Sequence, residues 1–593
     1  MNELGSWKRT CYCAELGKED VGKKVCLMGW VDSYRDHGGV IFIDLRDRSG
    51  IIQVVFNPEY EPEVHKRAHQ IRNEWVIAVQ GEVRLRPSDS INPKLKTGEI
   101  EVWAGELKIL NRSEPTPFLI EDGVKVSEEL RLKYRYLDLR RPEMQKKLIT
   151  RHQVVKLVRD YFCELGFYEI ETPFLTKSTP EGARDYLVPS RIYAGKFYAL
   201  PQSPQLFKQI LMVAGFDRYF QVARCMRDED LRADRQPEFT QIDVEMSFVS
   251  PEDVFEVIEG MIVRIWKEIL GIELKTPFPR VSWDEVMEKY GTDRPDTRFE
   301  LLLKDLTDIF PKSEYRFFKQ AVETGGIIKG LNAPGCASWS RKETDDLTYA
   351  LKAYGAKGLT VIRYQEGGLQ GPAIKYFSEE EQKKMIERLG AKPGDLLMIM
   401  ADKFEIVNEA MAQLRLMVAK RLGLLPASGY NFLWVVDFPM FEWSDTEKRW
   451  KSTHHPFTMP KPEHLEFLEK EPGKVKALAY DLVVNGVELG GGSIRIHRTD
   501  LQERIFKVLG IGDEEARMKF GFLLDALKYG APPHGGIALG LDRLIQLIVG
   551  GDSIRDVIAF PKTQSAVDLM CDAPSGVNPD QLKELHLKIS EED

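Results

Sequence analysis

The amino-acid sequence predicts an α+β protein of several domains: an N-terminal β-barrel, a body of hairpin-connected strands with flanking helices, and an α/β domain inserted into that body. Three observations support this fold class. Residues 21–110 carry five β-rich runs with one polar, helix-like segment after the third. Strand patterns bounded by turn residues occur again near 224–248, at 430–439 and before residue 541. Residues 293–425, which lie between these patterns, mix strand and helix signals over a length sufficient for a separate domain.

The first domain, residues 1–110, has strand-like runs in a regular order. They are Lys24–Tyr34, Gly39–Arg46, Gly50–Phe56, Trp75–Arg84 and Glu99–Leu110, with the helix-like segment at Glu61–Arg72. Five strands with a helix after the third are typical of the oligonucleotide-binding (OB) barrel, whose exposed face binds single-stranded bases. A small all-β structural domain would have the same pattern, so both interpretations stay open. Residues 111–142 contain prolines and a basic cluster at Leu130–Arg141, and are predicted to form a linker or hinge.

Residues 143–292 contain the most informative segment of the chain. A helical stretch near Met144–Leu165 leads into it, and Pro237–Phe248 alternates between apolar and polar residues as a strand does. A charged loop before this strand would direct Arg227 and Glu229 at the pocket that Phe239 and Asp243 enter. Arginine forks suit phosphate, an aromatic face suits a purine, and carboxylates suit an ammonium group or a metal. The alternative is a hairpin with a solvated, salt-bridged tip.

Residues 426–564 contain a second motif, in which small residues precede Asp542 and Arg543 and an apolar run with helical spacing follows. An arginine at this strand-to-helix junction would point at whatever lies over the sheet. The inserted residues 293–425 show strand signals at Thr360–Tyr364 and helix signals at Glu379–Leu389, without a catalytic signature. Residues 565–593 read as a polar C-terminal extension with helical spacing at Gln581–Ile589.

Composition excludes several classes of protein. No run of about 18 apolar residues exists, and the N-terminus lacks an apolar signal core, so we expect no membrane span, no export and a cytoplasmic location. The seven scattered cysteines predict neither a disulfide framework nor a zinc site. The net charge of −9 disfavours a protein that grips phosphates broadly, so DNA is not expected and an RNA partner would need local basic patches or base contacts.

Together the two motifs resemble a known family. Arg227-x-Glu229, the charged loop and Phe239-x-x-x-Asp243 resemble motif 2 of the class II aminoacyl-tRNA synthetases, and Ala538-x-Gly540-x-Asp542-Arg543 resembles motif 3. The stretch from Met144 to Pro173 resembles motif 1, which implies a homodimer and a catalytic domain on an antiparallel sheet. Over nearly its whole length the chain is similar to bacterial-type aspartyl enzymes of that class, which carry an insertion like residues 293–425.

The resemblance implies an activity and a set of site residues. L-aspartate would react with ATP to give aspartyl-adenylate and pyrophosphate, and aspartate would pass to the 3′ end of tRNA-Asp. Arg227, Arg543 and Glu488 would be catalytic, and Asp481 and Glu488 would bind Mg²⁺. The implied ATP-binding residues are Arg227, Asp228, Glu229, Gln236, Phe239, Glu488, Gly540, Leu541, Asp542 and Arg543. The implied aspartate-binding residues are Glu181, Gln205, Lys208, Arg227, Gln241, Asp243, His454, His455 and Arg495.

The same resemblance assigns tRNA contacts. Arg232 and Arg235 would meet the acceptor end, and the anticodon would bind Arg35, Phe42, Gln53 and Glu101. His37 in the loop Arg35–Gly39 resembles enzymes that accept both tRNA-Asp and tRNA-Asn, and Ser90 in the Pro87–Ser90 turn would contribute to that choice.

Four alternatives stay open. A strictly discriminating aspartyl enzyme would charge tRNA-Asp alone. An asparaginyl or lysyl enzyme would share the ATP motifs, although Lys208 with Arg495 suits an anionic side chain better. An ammonia-dependent asparagine synthetase would reuse the aspartyl-adenylate but would normally lack the OB domain. A nucleic-acid-binding protein with an inactive synthetase fold is the alternative from another class.

Overall fold

The computed structural model describes residues 1–179, 183–229, 235–551 and 553–590. The chain divides into two compact units. The first contains residues 1–149 with 559–563 and 567–574, and the second contains 150–558, 564–566 and the chain from residue 575. Among the described residues, every helix is either too short or too polar to cross a lipid bilayer.

A closed five-stranded barrel forms the larger part of the first unit, which confirms the predicted OB fold. Alternation along the second strand buries Ile41, Ile43 and Leu45 in the barrel and leaves Phe42 and Asp44 half-buried on its outer face. The strand order is β1-β2-β3-β5-β4. The elements are β1 (Lys24–His37), β2 (Val40–Asp47), β3 (Gly50–Phe56), α1 (Pro62–Ala68), β4 (Val76–Leu85) and β5 (Ile100–Asn111).

Three helices follow the barrel in the chain. They are α2 (Glu128–Lys133), α3 (Arg135–Asp138) and α4 (Pro142–Glu164). Within the first unit, buried Asp138 accepts hydrogen bonds from Arg135 Nη1 at 2.7 Å and Arg141 Nη1 at 3.1 Å. The basic cluster of the predicted hinge is therefore partly neutralised by its own carboxylate.

Residues 168–290 contain a short two-stranded ribbon and the charged hairpin. The elements are β6 (Tyr168–Glu169), β7 (Leu187–Pro189), β8 (Phe197–Ala199), α5 (Gln205–Val213), β9 (Arg218–Met226), β10 (Glu238–Ser247), α6 (Pro251–Ile265), β11 (Arg280–Ser282) and α7 (Trp283–Tyr290). Strands β9 and β10 pair antiparallel from Met226 and Glu238 onward.

The inserted residues form a five-stranded sheet with helices packed on it. All of its strand pairs are antiparallel, in the order β12-β13-β16-β14-β15. The elements are β12 (Lys304–Asp305), α8 (Arg316–Glu323), β13 (Ile327–Ala333), α9 (Arg341–Leu351), β14 (Thr360–Gln365), β15 (Gly368–Gln370), α10 (Glu379–Leu389), β16 (Leu396–Asp402) and α11 (Phe404–Arg421).

The second half of the body completes an eight-stranded sheet. Its elements are β17 (Phe432–Val436), β18 (Phe441–Ser444), β19 (Arg449–Ser452), β20 (Ala479–Val484), β21 (Val487–Ile494), α12 (Thr499–Leu509), α13 (Asp513–Leu527), β22 (His534–Gly540), α14 (Leu541–Val549) and α15 (Pro579–Glu584). The order is β11-β17-β20-β21-β22-β10-β9-β6, antiparallel except for the outermost pair at each edge. This confirms the antiparallel body with flanking helices. Fully buried Trp266, Trp434 and Phe255 lie in the core beneath it.

Candidate functional site

Four neighbouring strands of the large sheet bring the two sequence motifs together. Gln241 of β10 lies opposite Ala223 of β9 on one side and Gly540 of β22 on the other. Leu539 of β22 in turn pairs with Gly490 of β21. Pairing in this register places the chain just after β9, the start of α14 and the middle of β21 around one cleft.

A cavity of about 240 Å³ occupies this cleft. Its lining includes all the predicted ATP-binding residues except Asp228 and Leu541. It is lined by Arg227, Glu229, Arg235, Gln236, Phe239, Gln241, Glu488, Leu489, Gly490, Ala538, Gly540, Asp542, Arg543 and Ile554. The Arg227 guanidinium lies 5.1 Å from the centre of the Phe239 ring, so a cation and an aromatic face are presented together. Arg227 Nε is buried without a partner among the described residues.

The first turn of α14 fixes one wall of the cleft. Asp542 accepts hydrogen bonds from the backbone N–H of Thr240 at 2.8 Å and from Arg151 Nη1 at 2.5 Å. These bonds tie β10 and α4 to the start of α14. Arg543 projects from the same turn and donates through Nη1 to the backbone carbonyl of Glu488. Its position at the strand-to-helix junction agrees with the sequence-based prediction.

Two carboxylates stand at the Glu488 end of the cleft. Asp481 of β20 lies opposite Gly491 of β21, where a Cβ would come within 2.3 Å of Asp481 Oδ1, so only glycine leaves room for that carboxylate. Burial raises the pKa of Glu488 to about 7, and the negative charge of Asp481 adds to the rise while Arg543 opposes it. Because the two carboxylates repel each other when both are ionised, a cation bound between them would be stabilised.

A second, fully buried polar group adjoins the cleft on β10. Lys208 of α5 donates through Nζ to Asp243 Oδ1 at 2.7 Å and lies 3.4 Å from Glu245 Oε2. Arg495 forms a two-point ion pair with Glu245, through Nε at 3.0 Å and Nη2 at 3.2 Å. Although burial alone would raise it, Arg495 and Lys208 hold the pKa of Glu245 below its ordinary value, so Glu245 is ionised. Glu245 is therefore shared by the two cations.

Each cation keeps donor capacity after these contacts. Arg495 Nη1 donates to Ser493 Oγ at 2.7 Å and contacts His455 Nε2 at 2.7 Å. Together with the bonds to Glu245, these leave one N–H of Nη2 unused among the described residues, and Lys208 likewise keeps one of its three. Burial, followed by the positive charge of Arg495, holds the pKa of His455 well below its ordinary value, so its ring is neutral at pH 7.

Unpartnered polar atoms point to a polar ligand here. Gln205 Nε2 and Asp243 Oδ2 are buried without a hydrogen-bond partner among the described residues. Since buried polar groups are nearly always paired, such atoms mark places where a ligand or water completes the bonding. The group thus offers unused cationic donors and a free carboxylate oxygen to a ligand.

Several predicted residues occupy other positions. Asp228 faces Arg184, whose Nε lies 3.5 Å from its carboxylate, and Leu541 is buried in the core. His454 lies 3.9 Å from Asp481, at the carboxylate pair and away from Arg495. Arg235 forms an ion pair with Glu229 at 3.0 Å. The predictions for Glu181 and Arg232 lie outside the described residues.

The barrel presents its own polar cluster. Arg35 Nη2 donates to Asp44 at 2.9 Å and to Gln53 Oε1 at 3.3 Å. Gln53 Nε2 donates in turn to Glu101 at 2.9 Å. Phe42 is half-buried beside these side chains on the strand paired with both Arg35 and Gln53. This cluster offers an aromatic surface next to fixed donors and acceptors.

The two residues predicted to discriminate between tRNAs are both exposed. His37 ends β1 at the turn into β2, opposite Val40, and Ser90 closes the turn that begins at Pro87. Their exposure leaves both side chains accessible to a macromolecular ligand.

Two residues of these sites were not singled out from the sequence. Glu245 lies on the same face of β10 as Gln241 and Asp243, so the alternation of that strand was its available signal. Arg86 is buried beside the barrel cluster, donates through Nε to the carbonyl of Ile100 at 2.9 Å, and leaves Nη2 unpartnered among the described residues. Nothing in the local sequence distinguishes Arg86, which directly follows β4, from Arg84 within that strand.

Comparison with known proteins defines the class. The family of class II tRNA synthetases (D, K and N) matches residues 127–564, and the OB-fold nucleic acid binding domain matches residues 25–110. The chain therefore belongs to the class II tRNA synthetases.

Individual relatives narrow the comparison. The "Aspartate--tRNA(Asp/Asn) ligase" of Caldanaerobacter subterraneus is 60% identical over 587 residues, covering 99% of each chain. The protein of the same name from Aquifex aeolicus is 57% identical over 603 residues, covering 100% of each. Among solved structures, the asparaginyl-tRNA synthetase of Pyrococcus horikoshii complexed with asparaginyl-adenylate shares the fold, with a TM-score of 0.59 at 20% identity, covering 94% of this chain and 98% of that one.

Proposed function

We propose that this chain is an aspartate–tRNA ligase that activates L-aspartate with ATP and charges both tRNA-Asp and tRNA-Asn. The observation that carries the proposal is the pair of buried cations, Lys208 and Arg495, each with an unused donor beside the nucleotide cleft. A side-chain carboxylate is the ligand that these donors fit. The names of the full-length relatives point to the same amino acid.

In this proposal the buried polar group binds aspartate. The unused N–H groups of Lys208 and Arg495 pair with the side-chain carboxylate, and Asp243 Oδ2 accepts from the ammonium group. Gln205 Nε2 donates to one of the substrate carboxylates. A neutral amide in place of the side-chain carboxylate would leave a buried cationic donor facing an N–H group, which costs about 1–3 kcal/mol or more. Asparagine is thereby rejected.

ATP binds in the adjoining cleft, with adenine against Phe239 and the phosphates toward Arg227 and Arg543. The α-carboxylate of aspartate attacks the α-phosphorus, the bond to the β-phosphate breaks, and pyrophosphate leaves. The chain supplies alignment and positive charge: Arg227 holds the α-phosphate and Arg543 the γ-phosphate. Fixed charges of this kind stabilise the pentacoordinate transition state without a protein nucleophile. The 3′-hydroxyl of the tRNA then takes the aspartyl group from the adenylate.

The carboxylate pair fits a magnesium ion. Mg²⁺ uses one or two protein carboxylates and completes its coordination with phosphates and water, and Asp481 and Glu488 supply two carboxylates at the phosphate end. The raised pKa of Glu488, caused by burial and then by Asp481, is relieved by a cation. When bound, the ion neutralises charge on the polyphosphate.

The barrel would read the anticodon. Phe42 stacks on a base, and Arg35, Gln53 and Glu101 form hydrogen bonds to base edges, as single-stranded RNA is commonly recognised. His37 and Ser90 would tolerate the base that differs between tRNA-Asp and tRNA-Asn. Arg235, with the residues around Arg232, would meet the acceptor end.

The resemblance of Met144–Pro173 to motif 1 supports a homodimer. Both tRNA substrates are used in the cytoplasm, which is therefore the location that the proposed function requires.

The decisive experiment is aspartate charging of purified tRNA-Asp and tRNA-Asn transcripts side by side, by the wild type and by His37→Leu. We expect comparable charging of both by the wild type and a bias toward tRNA-Asp in the variant. If the wild type charges tRNA-Asp alone, the assignment as an aspartate–tRNA ligase stands and the proposed dual specificity is refuted. Failure with both transcripts, despite aspartate-dependent exchange of pyrophosphate into ATP, would favour the ammonia-dependent synthetase.

A further inference from the structure

The segment that leads from the large sheet into the inserted domain packs against the turn between β20 and β21, two residues before Glu488. We call Asp481 and Glu488 the carboxylate corner of the nucleotide cleft. Residues 291–298 follow α7, and within them Asp293 and Arg294 are exposed while Pro295 and Asp296 are buried. This segment lies outside the three motifs that resemble those of the class II synthetases. Buried residues on either side anchor the segment as an ordinary turn would be anchored. The two residues that it exposes between them, however, are both charged.

Both ends of the segment are held rigidly. Gly291 has φ +70°, and a Cβ there would lie 2.6 Å from the carbonyl of Asn408, so the chain is pressed against α11. At the other end, buried Arg415 donates to the carbonyls of Asp296, Phe299 and Leu301 at 2.7–3.0 Å. The Arg415 guanidinium also stacks 3.9 Å from the centre of the Phe299 ring.

Proline restricts the part that projects. Pro295 fixes its own φ and disfavours the helical conformation at Arg294, which restricts the backbone on both sides of their peptide bond. Arg294 is thus presented from a rigid support, which lowers the entropy lost when it binds a ligand.

The direction of this support is set by the turn between β20 and β21. A Cβ on Gly486 would lie 3.4 Å from the Asp296 Cβ, and Asn431 Nδ2 donates to the Thr297 carbonyl at 3.2 Å. The same turn is held by Asn485 Oδ1, which accepts from the Asn431 N–H at 2.9 Å. Glu488 is two residues beyond Gly486, so the segment and the carboxylate corner are adjacent.

Electrostatic coupling agrees with this placement. Besides burial, Asp481 and Arg543, the charges that act on the pKa of Glu488 are Asp293, which raises it, and Arg294, which lowers it. Both residues therefore lie within electrostatic range of the corner.

Arg294 differs from the other arginine of the segment in having a free side chain. Arg298 is locked onto Asp296 through Nε at 3.0 Å and Nη2 at 2.7 Å. The Arg294 guanidinium has no hydrogen bond or ion pair within 4 Å among the described residues. An unpaired guanidinium at the phosphate end of a nucleotide cleft is suited to bidentate contact with phosphate oxygens.

We propose that Arg294 binds the β- and γ-phosphates of ATP, and the pyrophosphate that leaves, together with Arg543. The proposal deepens the proposed function and rests on ATP binding in the cleft between Phe239 and Arg543. It also gives the first segment of the inserted domain a role in the first step of the reaction. Arg294 acts as a binding residue for the leaving group, and Arg415 and Gly291 act as its positioning residues.

The test compares nucleotides that do and do not carry the phosphates in question. Affinities of the full-length protein for Mg·ATP and Mg·AMP are measured by calorimetry for the wild type, Arg294→Ala and Arg294→Lys. The matched control is Arg341→Ala, an exposed arginine of the inserted domain that pairs with Asp345 one turn along α9. The Michaelis constants for pyrophosphate and aspartate are measured in the exchange reaction.

We expect Arg294→Ala to weaken ATP binding about tenfold, which corresponds to about 1.4 kcal/mol, and to raise the Michaelis constant for pyrophosphate by a similar factor. AMP affinity and the Michaelis constant for aspartate should stay within about twofold, and Arg294→Lys should recover part of the loss because it keeps the charge without the fork. Equal losses for ATP and AMP would show a structural role and overturn the proposal, as would unchanged ATP affinity.

The same data separate this proposal from the proposed function. Aspartate-dependent exchange by the wild type with unchanged ATP affinity in Arg294→Ala would refute only the role of Arg294. An ATP-specific loss in Arg294→Ala without aspartate-dependent exchange in the wild type would support Arg294 and refute the amino-acid assignment.

Discussion

Replacement of Arg495 by methionine would break the buried ion pair at the centre of the proposed aspartate pocket. Arg495 holds Glu245 through two hydrogen bonds at 3.0 and 3.2 Å, and both side chains are fully buried. After the substitution, Glu245 would keep only Lys208, at 3.4 Å. Replacing Glu245 as well removes the orphaned charge, while Lys208 retains Asp243 at 2.7 Å.

The magnitudes follow from the cost of an unpaired buried charge. Removing one partner of a buried ion pair costs about 3–5 kcal/mol, whereas replacing both by apolar residues of similar volume is often close to neutral. Because Lys208 partly compensates Glu245, we expect about 3 kcal/mol for Arg495→Met. The double variant Glu245→Met/Arg495→Met should fall within about 1 kcal/mol of the wild type.

Activity should follow a different order from stability. Every variant without Arg495 lacks one of the two cations for the aspartate carboxylate, so kcat/KM for aspartate should fall about a hundredfold, or about 3 kcal/mol. The double variant would then be nearly as stable as the wild type and still about a hundredfold less efficient with aspartate. This outcome would separate substrate recognition from folding.

The stability assay is urea unfolding of the full-length protein, followed by tryptophan fluorescence, to which Trp266 and Trp434 of the core beneath the large sheet contribute. A chain of several domains does not unfold in two states, so the rank order of midpoints is the readout. Equal midpoints for the single and double variants would refute the shared-carboxylate reasoning. Activity of the double variant within tenfold of the wild type would refute the role of Arg495.

Three further predictions concern the nucleotide cleft and the barrel. Arg227→Ala and Arg543→Ala should each lower aspartate-dependent pyrophosphate exchange by about 10²–10³-fold or more, since each removes a fixed charge from the transition state. Arg224→Ala removes an exposed arginine of β9, the strand that ends just before Arg227, and should retain full exchange. Mg·ATP should bind best when Glu488 is ionised, and burial raises the pKa of Glu488 to about 7. ATP affinity measured by calorimetry should therefore fall about tenfold from pH 8 to pH 6. An equal pH dependence of ATP affinity in Glu488→Gln would contradict the role of Glu488. Folding of the unligated protein should depend on pH in the opposite direction from ATP affinity. Because the pKa of Glu488 is raised on folding, the free energy of unfolding should fall as pH rises from about 4.5 toward 7, by up to about 3 kcal/mol. Phe42→Ala should raise the Michaelis constant for tRNA by about 10–100-fold through the loss of about 1–3 kcal/mol of base stacking, with pyrophosphate exchange unchanged; a parallel loss of exchange would place Phe42 in the barrel core.

The balance of charged side chains differs between the proposed aspartate pocket and the phosphate end of the cleft. Lys208 and Arg495 are neutralised by Asp243 and Glu245, so a bound aspartate carboxylate adds a negative charge to a nearly neutral pocket. Their two unused donors compensate that charge locally. At the phosphate end, the carboxylates of Asp481 and Glu488 repel each other until a cation binds between them.

Local sequence patterns determined most of the architecture of this protein. Short β-rich runs predicted the strands of the barrel, and period-2 alternation predicted the hairpin strand Pro237–Phe248. The observed strands differ from these predictions by a few residues at most. The helix Glu379–Leu389 was predicted with its observed bounds. Both cleft motifs could also be predicted from the sequence, because each is a short segment whose residues lie within one turn or hairpin.

Only the tertiary structure decided how the charges are shared. Glu245 lies between Lys208 and Arg495, which come from segments 37 residues before it and 250 residues after it in the chain. Asp228, adjacent to Arg227 in sequence, pairs instead with Arg184, and Arg294 reaches the Glu488 corner because the turn at Gly486 supports it. Alternation determines which face of a strand a side chain occupies, whereas its partner depends on which distant segments fold against that face. Sequence therefore determined the elements and the chemistry available at the site, and the packing of distant segments determined which charged groups meet there.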